Sequence, residues 1–397
     1  MRTIFMNANL IDGHGGPPQK NAYLVVENEL IRELGDTRLL KTRPDDDLID
    51  CGDKTITPGL IDCHIHMDLH GFADTYQENL VEDKLRTLRT AQAMSATLRA
   101  GFTTVRNVGS VNHIDFAVKA GIEAGYTRGP RILTSGRIIS MTCSGTEYFA
   151  GMYRIADGVD DCRKAAREQL KAGADLLKLM ATGAVMNPGG VPGAPQLDVD
   201  EIRAIVEEGL KLGKHTAAHA HAAQGIQNAV AAGVRTIEHG TLADDDAIGA
   251  MAEAGTFLIP TLSLHDRFED HADNIPDFML KKSRQMQAAY IEIIKKAVKS
   301  GVKIAMGTDA GTNFNYHGNN AAEIVFLVEH EILSPAEALK AATKTAAEAI
   351  MLDHRVGTLE AGKMADLVIL NANPLDHIEI LCKPHMISAV YKNGQKI

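Results

Sequence analysis

The feature that most constrains this chain is an alternation of short apolar runs with helix-period segments through its middle. The runs are "GLIDCHIH", "TTVRNVG", "RILTSGRIIS", "DLLKLMATG", "HTAAHAHA", "TIEHG", "FLIPTLS" and "VKIAMGTDAG". Amphipathic segments separate them, among them residues 83–101, 161–174 and 198–213. Strands that each need a covering helix signal a parallel sheet, and eight such repeats predict an α/β fold, a (β/α)8 TIM barrel. A doubly wound sheet is the alternative, but no G-x-G-x-x-G follows the first run.

Both ends of the chain read differently. "RTIFMNANLIDG", "AYLVVENELIRELG" and "DDDLIDCGDKTITPG" at the start, with "GKMADLVILNAN" and "ISAVYKNGQKI" at the end, alternate short β-rich runs with turns. Neither end has enough apolar surface to fold alone. The expectation is one small β-sandwich built from residues 1–56 and 353–397, with the barrel spanning 57–352. The Gly/Pro-rich "MNPGGVPGAPQL" (186–197) follows the fourth strand in the manner of an active-site loop.

Composition excludes some classes of function. A net charge of −10 without a Lys/Arg block argues against nucleic acid or an anionic membrane as the main partner. Five cysteines lacking C-x-x-C spacing read as reduced thiols. The start lacks the pattern of a signal peptide, and no apolar run approaches about 18 residues. The expectation is a cytoplasmic protein acting on a small-molecule substrate, with barrel flanks and sandwich offering surfaces for a homo-oligomer.

Barrel chemistry gathers where strands end. His64 and His66 end the first strand and, two residues apart, share one face. The fourth carries Lys178 amid Leu176, Leu177, Leu179 and Met180. The fifth carries His219 and His221, the sixth ends in His239, and the last ends in Asp309. Each has a plainer explanation: hydrogen-bonded core histidines, a snorkelling lysine, a loop-holding His239, a capping Asp309. With sixteen histidines in the chain, only their joint arrival on five strand ends in order is informative. Imidazole with carboxylate suits Zn²⁺ or a similar ion. A buried ammonium in "LLKLM" is costly, whereas the carbamate formed when lysine takes up CO₂ is an anionic ligand able to bridge two metals.

On these residues the chain resembles the amidohydrolase superfamily over nearly its whole length. "PGLIDCHIH" is similar to its first-strand metal motif, "IEHG" to its sixth-strand histidine, "GTDAG" to its eighth-strand aspartate, and "GTLEAGKMADLVIL" to the return into the sandwich. Lys178, with no glutamate in "HAHAAQGI", resembles the binuclear carboxylated-lysine subtype. "TTVRNVG", "KLMATGAV" and "NYHGNNAAEIVFLVE" resemble the prolidase-like Xaa-Pro/Xaa-Arg dipeptidase and carboxypeptidase branch. The resemblance implies that His64 and His66 hold one metal, His219 and His239 the other, and that carboxylated Lys178 bridges two divalent ions, Zn²⁺ by preference. Asp309 is implied as both ligand and catalytic base. His219 fits the fifth-strand ligand position, leaving His221 for the substrate.

The implied reaction is hydrolysis of a non-ring amide, the peptide bond of a dipeptide or N-acyl amino acid, by a metal-bridging hydroxide. Candidates for binding substrate are Arg106, His221, Tyr148, Arg154 and His317. Arg106 equally fits a structural ion pair, Tyr148 and Arg154 a surface loop, and His317 a helix cap. One departure stands out: where many branch members carry "TGGH", this chain has "MTCSGTEYF" (141–149). The alternatives are therefore a hydrolase or deaminase of a cyclic amide, amidine, urea or carbamate-type molecule, imidazolonepropionase-like, and more remotely a metal-free scaffold.

Overall fold

The computed structural model describes residues 2–397, except the side chains of His265 and Ala288. Its central strands are Leu60–Ile65, Phe102–Asn107, Arg131–Thr134, Leu177–Met180, Thr216–Ala222, Thr236–Leu242 and Phe257–Ile259. Neighbours among the first three pair in parallel, as do neighbours among the last four. Isolated hydrogen bonds outside the paired strands carry the ring across its gaps. Asp175 N–H donates to Thr134 O, and Leu258 N–H donates to Lys303 O. Cys63 N–H donates to Met306 O, and Asp309 N–H donates to His64 O. The eighth position, residues 303–310, therefore closes the barrel against both neighbours by isolated bridges.

The run "RILTSGRIIS" divides where a single strand was expected. Gly136 takes φ 68°, a left-handed conformation that favours glycine, and the chain turns there. Asp115 fastens the turn by accepting from the Thr134 hydroxyl and from Gly136 N–H. Ile138–Ser140 then pairs with Tyr153–Ile155 and touches the fourth barrel strand at Leu179.

The three quoted helical segments form Asp83–Arg99, Val159–Ala172 and Val199–Leu210. The second stops at Gly173, φ 115°, and the third begins at a capping box of Asp198 and Glu201.

The termini form one eight-stranded sheet. Its order runs Gln395–Lys396, Ile387–Lys392, Leu367–Leu370, Thr55–Pro58, Arg2–Leu10, Gln19–Glu27, Leu30–Asp36, with Asp47–Asp50 also on Arg2–Leu10. Phe5 and Tyr391 stand three strands apart, about 14 Å on a flat sheet. Their rings lie 5.0 Å apart, edge to face, so the sheet folds over its own core of Leu24, Val26, Ile56 and Leu367. Thr55–Pro58 runs directly into the first barrel strand, which ties the sheet to the end of the barrel that begins at Leu60.

All five cysteines are free, and Cys63 packs with its Sγ 3.6 Å from Ala346 O. Among the described residues, no helix is long and apolar enough to cross a membrane.

Candidate metal centre

The barrel interior is polar at its centre because strand residues two apart point inward together. Arg106 is fully buried, and its guanidinium meets Glu238 Oε1 at 2.8 Å, Thr236 Oγ1 at 2.9 Å and Cys63 O at 2.5 Å. Glu238 uses its other oxygen on His64 Nδ1 at 2.7 Å. Burial raises the cost of an ionised Glu238, but Arg106 and His64 outweigh it and hold the carboxyl well below its usual range.

This arrangement fixes the imidazoles. A carboxylate accepts only, so His64 donates from Nδ1 and, in the neutral ring, its Nε2 carries a bare lone pair; Asp309 outweighs burial and raises the ring's pKa, so positive charge, as a proton or a metal ion, is favoured there. His66 donates from Nδ1 to Gly109 O at 3.1 Å, which leaves its Nε2 bare as well. Both Nε2 atoms face Asp309 Oδ1, at 3.3 and 3.4 Å. That oxygen is buried and, among the described residues, makes no hydrogen bond of ordinary geometry. Three acceptors directed at one another repel unless a positive charge sits among them, and histidines backed by carboxylate and carbonyl are the usual metal-ligand arrangement. The residues fit a divalent cation.

Other groups converge on the same point. One ligand atom each from His64, His239 and Asp309 lies within 4.8 Å of the others. The His239 ring stands 5.1 Å from that of His64 and 4.6 Å from that of His219. Burial, reinforced by neighbouring imidazoles and Lys178, drives the pKa of His219 and His239 far below the ordinary value. Both therefore remain neutral imidazoles. The charge of Lys178 is felt at His64, His66, His219, His239 and Asp309. Lys178 is 2% exposed, and desolvation brings its pKa down to about 8.

The backbone is strained within the cluster. His239, Thr261 and Asp309 take φ of 74°, 52° and 61°. Such conformations cluster at functional sites. Thr261 Oγ1 lies 2.8 Å from His239 Nδ1, and Thr241 Oγ1 lies 2.8 Å from His221 Nδ1. The glycines of "MGTDAG" have a packing reason: a Cβ on Gly307 would come within 2.8 Å of His64 Cβ, and one on Gly311 within 2.2 Å of His66 O.

His64, His66, Lys178, His219, His239 and Asp309 are thus brought together, with His221 beside them against His239 at 4.9 Å. Four of the expected substrate contacts are committed elsewhere. Arg106 lies below the centre with its nitrogens engaged by Glu238, Thr236 and Cys63, so it does not face substrate. Arg154 pairs with Asp161 and Glu168 on the following helix. The Tyr148 hydroxyl donates to Asp74. His317 directs Nε2 at the His66 and Leu69 carbonyls, 3.2 Å from each, and burial lowers its pKa to about 4. It braces the end of the first strand.

Sequence reasoning missed Glu238, Thr261 and the half-buried phenol of Tyr153, whose pKa is raised chiefly by desolvation. Glu238 was visible in "IEHG", adjacent to a ligand candidate. Thr261 carried no signal, because its role depends on a turn after the seventh strand.

A pocket opens beside the cluster, lined by His219, His221, His239, Thr261 and Asp309 together with apolar residues. Another cleft, lined by Lys214, His215, Arg235 and Met351, lies at the N-terminal ends of the strands, away from these groups.

With the barrel and its cluster defined, comparison with known proteins gives the class. The amidohydrolase family profile matches residues 55–397, and the chain belongs to that family. The solved structure of a prolidase complexed with N-methylphosphonate-L-proline superposes with a TM-score of 0.92 at 31% identity, covering 100% of this chain and 99% of that one. Ochratoxinase of Aspergillus niger is 28% identical over 99% of this chain and 86% of its own length. Imidazolonepropionase of Symbiobacterium thermophilum is 28% identical over 91% of this chain and 85% of its own.

Proposed function

We propose that the protein is a binuclear metal-dependent amidohydrolase that cleaves a non-ring amide, the peptide bond of a dipeptide or N-acyl amino acid. The observation that carries this reading is the pair of Nε2 atoms of His64 and His66 directed at the buried Asp309 Oδ1. His64, His66 and Asp309 would hold one ion, His219 and His239 the other, with Lys178, as its carbamate, between them. Zn²⁺ suits this donor set. Bound there, the metal supplies an acidified water and a Lewis acid for the scissile carbonyl.

The chain's own groups do the rest. Burial works against an ionised Asp309, and the cation that His64, His66 and Asp309 would hold offsets that cost. Asp309 is therefore ionised at neutral pH, ready to take the proton of the attacking water and return it to the leaving amine. Glu238 and Gly109 O keep His64 and His66 in one tautomer throughout. His221, beside His239 in the pocket wall, is the nearest imidazole for the substrate's polar end.

Two measurements test the reading together: divalent ion content, and a screen of dipeptides and N-acyl amino acids with ammonia followed in parallel. About two ions per chain and free amino acid without ammonia support it. Metal-free protein of native fold that cleaves nothing on metal addition refutes it. The likeness to imidazolonepropionase favours a second reading, hydrolysis of a cyclic amide, which ring opening without amino-acid release would reveal.

A further inference from the structure

The pocket beside the cluster is narrow, with a volume of about 50 Å³, room for a few heavy atoms of a side chain and not for a whole substrate. Beyond the cluster itself its wall is Ala184, Val185, Met186, Leu264, Phe268 and Ser283. Three segments bring these residues together. Ala184–Met186 enter the loop after the fourth strand, Leu264 and Phe268 lie on the helix Ser263–Asp270, and Ser283 lies on the helix Asp277–Lys299. Val185 and Phe268 are buried in an apolar cluster with Ile275, Met279, Leu280 and Met286, and Met186 and Leu264 are half-buried against it. The wall is therefore the exposed edge of a packed apolar body.

No Lys or Arg lines the pocket among the described residues. The nearby cations are already engaged: Arg106 by Glu238, Arg154 by Asp161 and Glu168, and Lys282 by Asn187 O at 2.9 Å. A charged side chain entering this space would lose water without gaining a partner, whereas an aliphatic or aromatic one would bury its surface against Val185, Met186, Leu264 and Phe268.

We infer that this pocket selects an uncharged apolar group, aliphatic or aromatic, on one side of the scissile amide, making the substrates apolar dipeptides or N-acyl amino acids. This rests on the proposed amide hydrolysis. With Asp309 and the imidazoles committed to the metal centre, a carboxylate or ammonium at the same substrate position finds no free counter-charge in the wall.

The test uses the metal-loaded protein and matched dipeptides carrying Leu, Phe, Lys or Asp on either side of the bond. On one side, kcat/KM for Leu or Phe should exceed that for Lys or Asp by about 100-fold or more. Phe268→Ala should lower kcat/KM for the Phe substrate about tenfold or more, chiefly through KM, with a smaller loss for its Ala counterpart. Leu264→Glu keeps the question open if Phe268→Ala does not fold, and should move preference toward Lys. Cleavage that ignores side-chain charge, or favours charged residues, overturns the inference while leaving amide hydrolysis standing. Should no amide be cleaved, the proposed function fails, and calorimetry with N-acetyl-leucine against N-acetyl-lysine decides the pocket: equal binding overturns the inference.

Discussion

The two halves of the candidate centre are built from the same residue type and held in different ways. His64 and His66 are backed by the Glu238 carboxylate and the Gly109 carbonyl, which only accept. Across the cluster, His239 and the neighbouring His221 are backed by the hydroxyls of Thr261 and Thr241, which both donate and accept, whereas His219 has the Gly183 carbonyl 3.5 Å from its Nε2. The first pair is locked in the tautomer a metal needs, and the Glu238 charge behind His64 makes that ring more basic. The second keeps tautomeric freedom and leans on backbone strain at His239 and Thr261 for its aim. The same imidazole is thus a stiff ligand or an adjustable one according to the group behind it.

The largest effect should come from removing the oxygen on which the first half converges. Asp309→Asn is expected to lower kcat by about 10³-fold or more, since one carboxylate serves as ligand and proton carrier. Steady-state kinetics alongside metal content check this, and activity within tenfold of the parent would dissolve the assignment.

Glu238→Gln strikes the backing of the stiff half. It should weaken metal affinity by about 10–100-fold. It also strands Arg106 as an uncompensated buried charge, at a cost of about 3–5 kcal/mol in denaturant unfolding. Competition with a chelator and a urea titration read the two effects separately.

Glu323 supports the adjustable half from a distance. Its carboxylate accepts from Leu262 and Ser263 N–H at 2.8 and 2.7 Å, holding the turn that carries Thr261. Burial pushes its pKa up to about 7, against 4.5 for an ordinary glutamate. The folded protein then binds this proton more tightly than the unfolded chain. The corresponding stability is complete below pH 4.5 and is lost as pH rises toward 7, by up to about 3 kcal/mol. Glu323→Gln should flatten that slope in the difference between parent and variant unfolding curves, and parallel curves would contradict it.

The smallest effect belongs to Thr261→Val. Losing one hydroxyl behind His239 should cost less than about tenfold in metal affinity. Should it match Glu238→Gln in chelator competition, the contrast between the two halves would be void.

Much of this was legible in the sequence. The two-residue spacing of His64 and His66 and of His219 and His221 sends each pair inward, because strand geometry is local. The helix starts were written in capping residues such as Asp198 and Glu201. Arg106 and Arg154 were not readable in the same way, because both are cations near strand ends. Whether such a cation faces substrate or a buried carboxylate depends on Glu238 or Glu168, which only folding brings to it.

The sequence by itself determined the order of strands and helices and which side chains could become ligands, because both follow from local periodicity and residue chemistry. The tertiary structure decided which cations were already spoken for, which turn holds His239, and that the space beside the cluster is walled by apolar groups. Those outcomes depend on residues far apart in the chain, such as Val185 with Phe268 and Leu262 with Glu323, and no local pattern encodes their meeting.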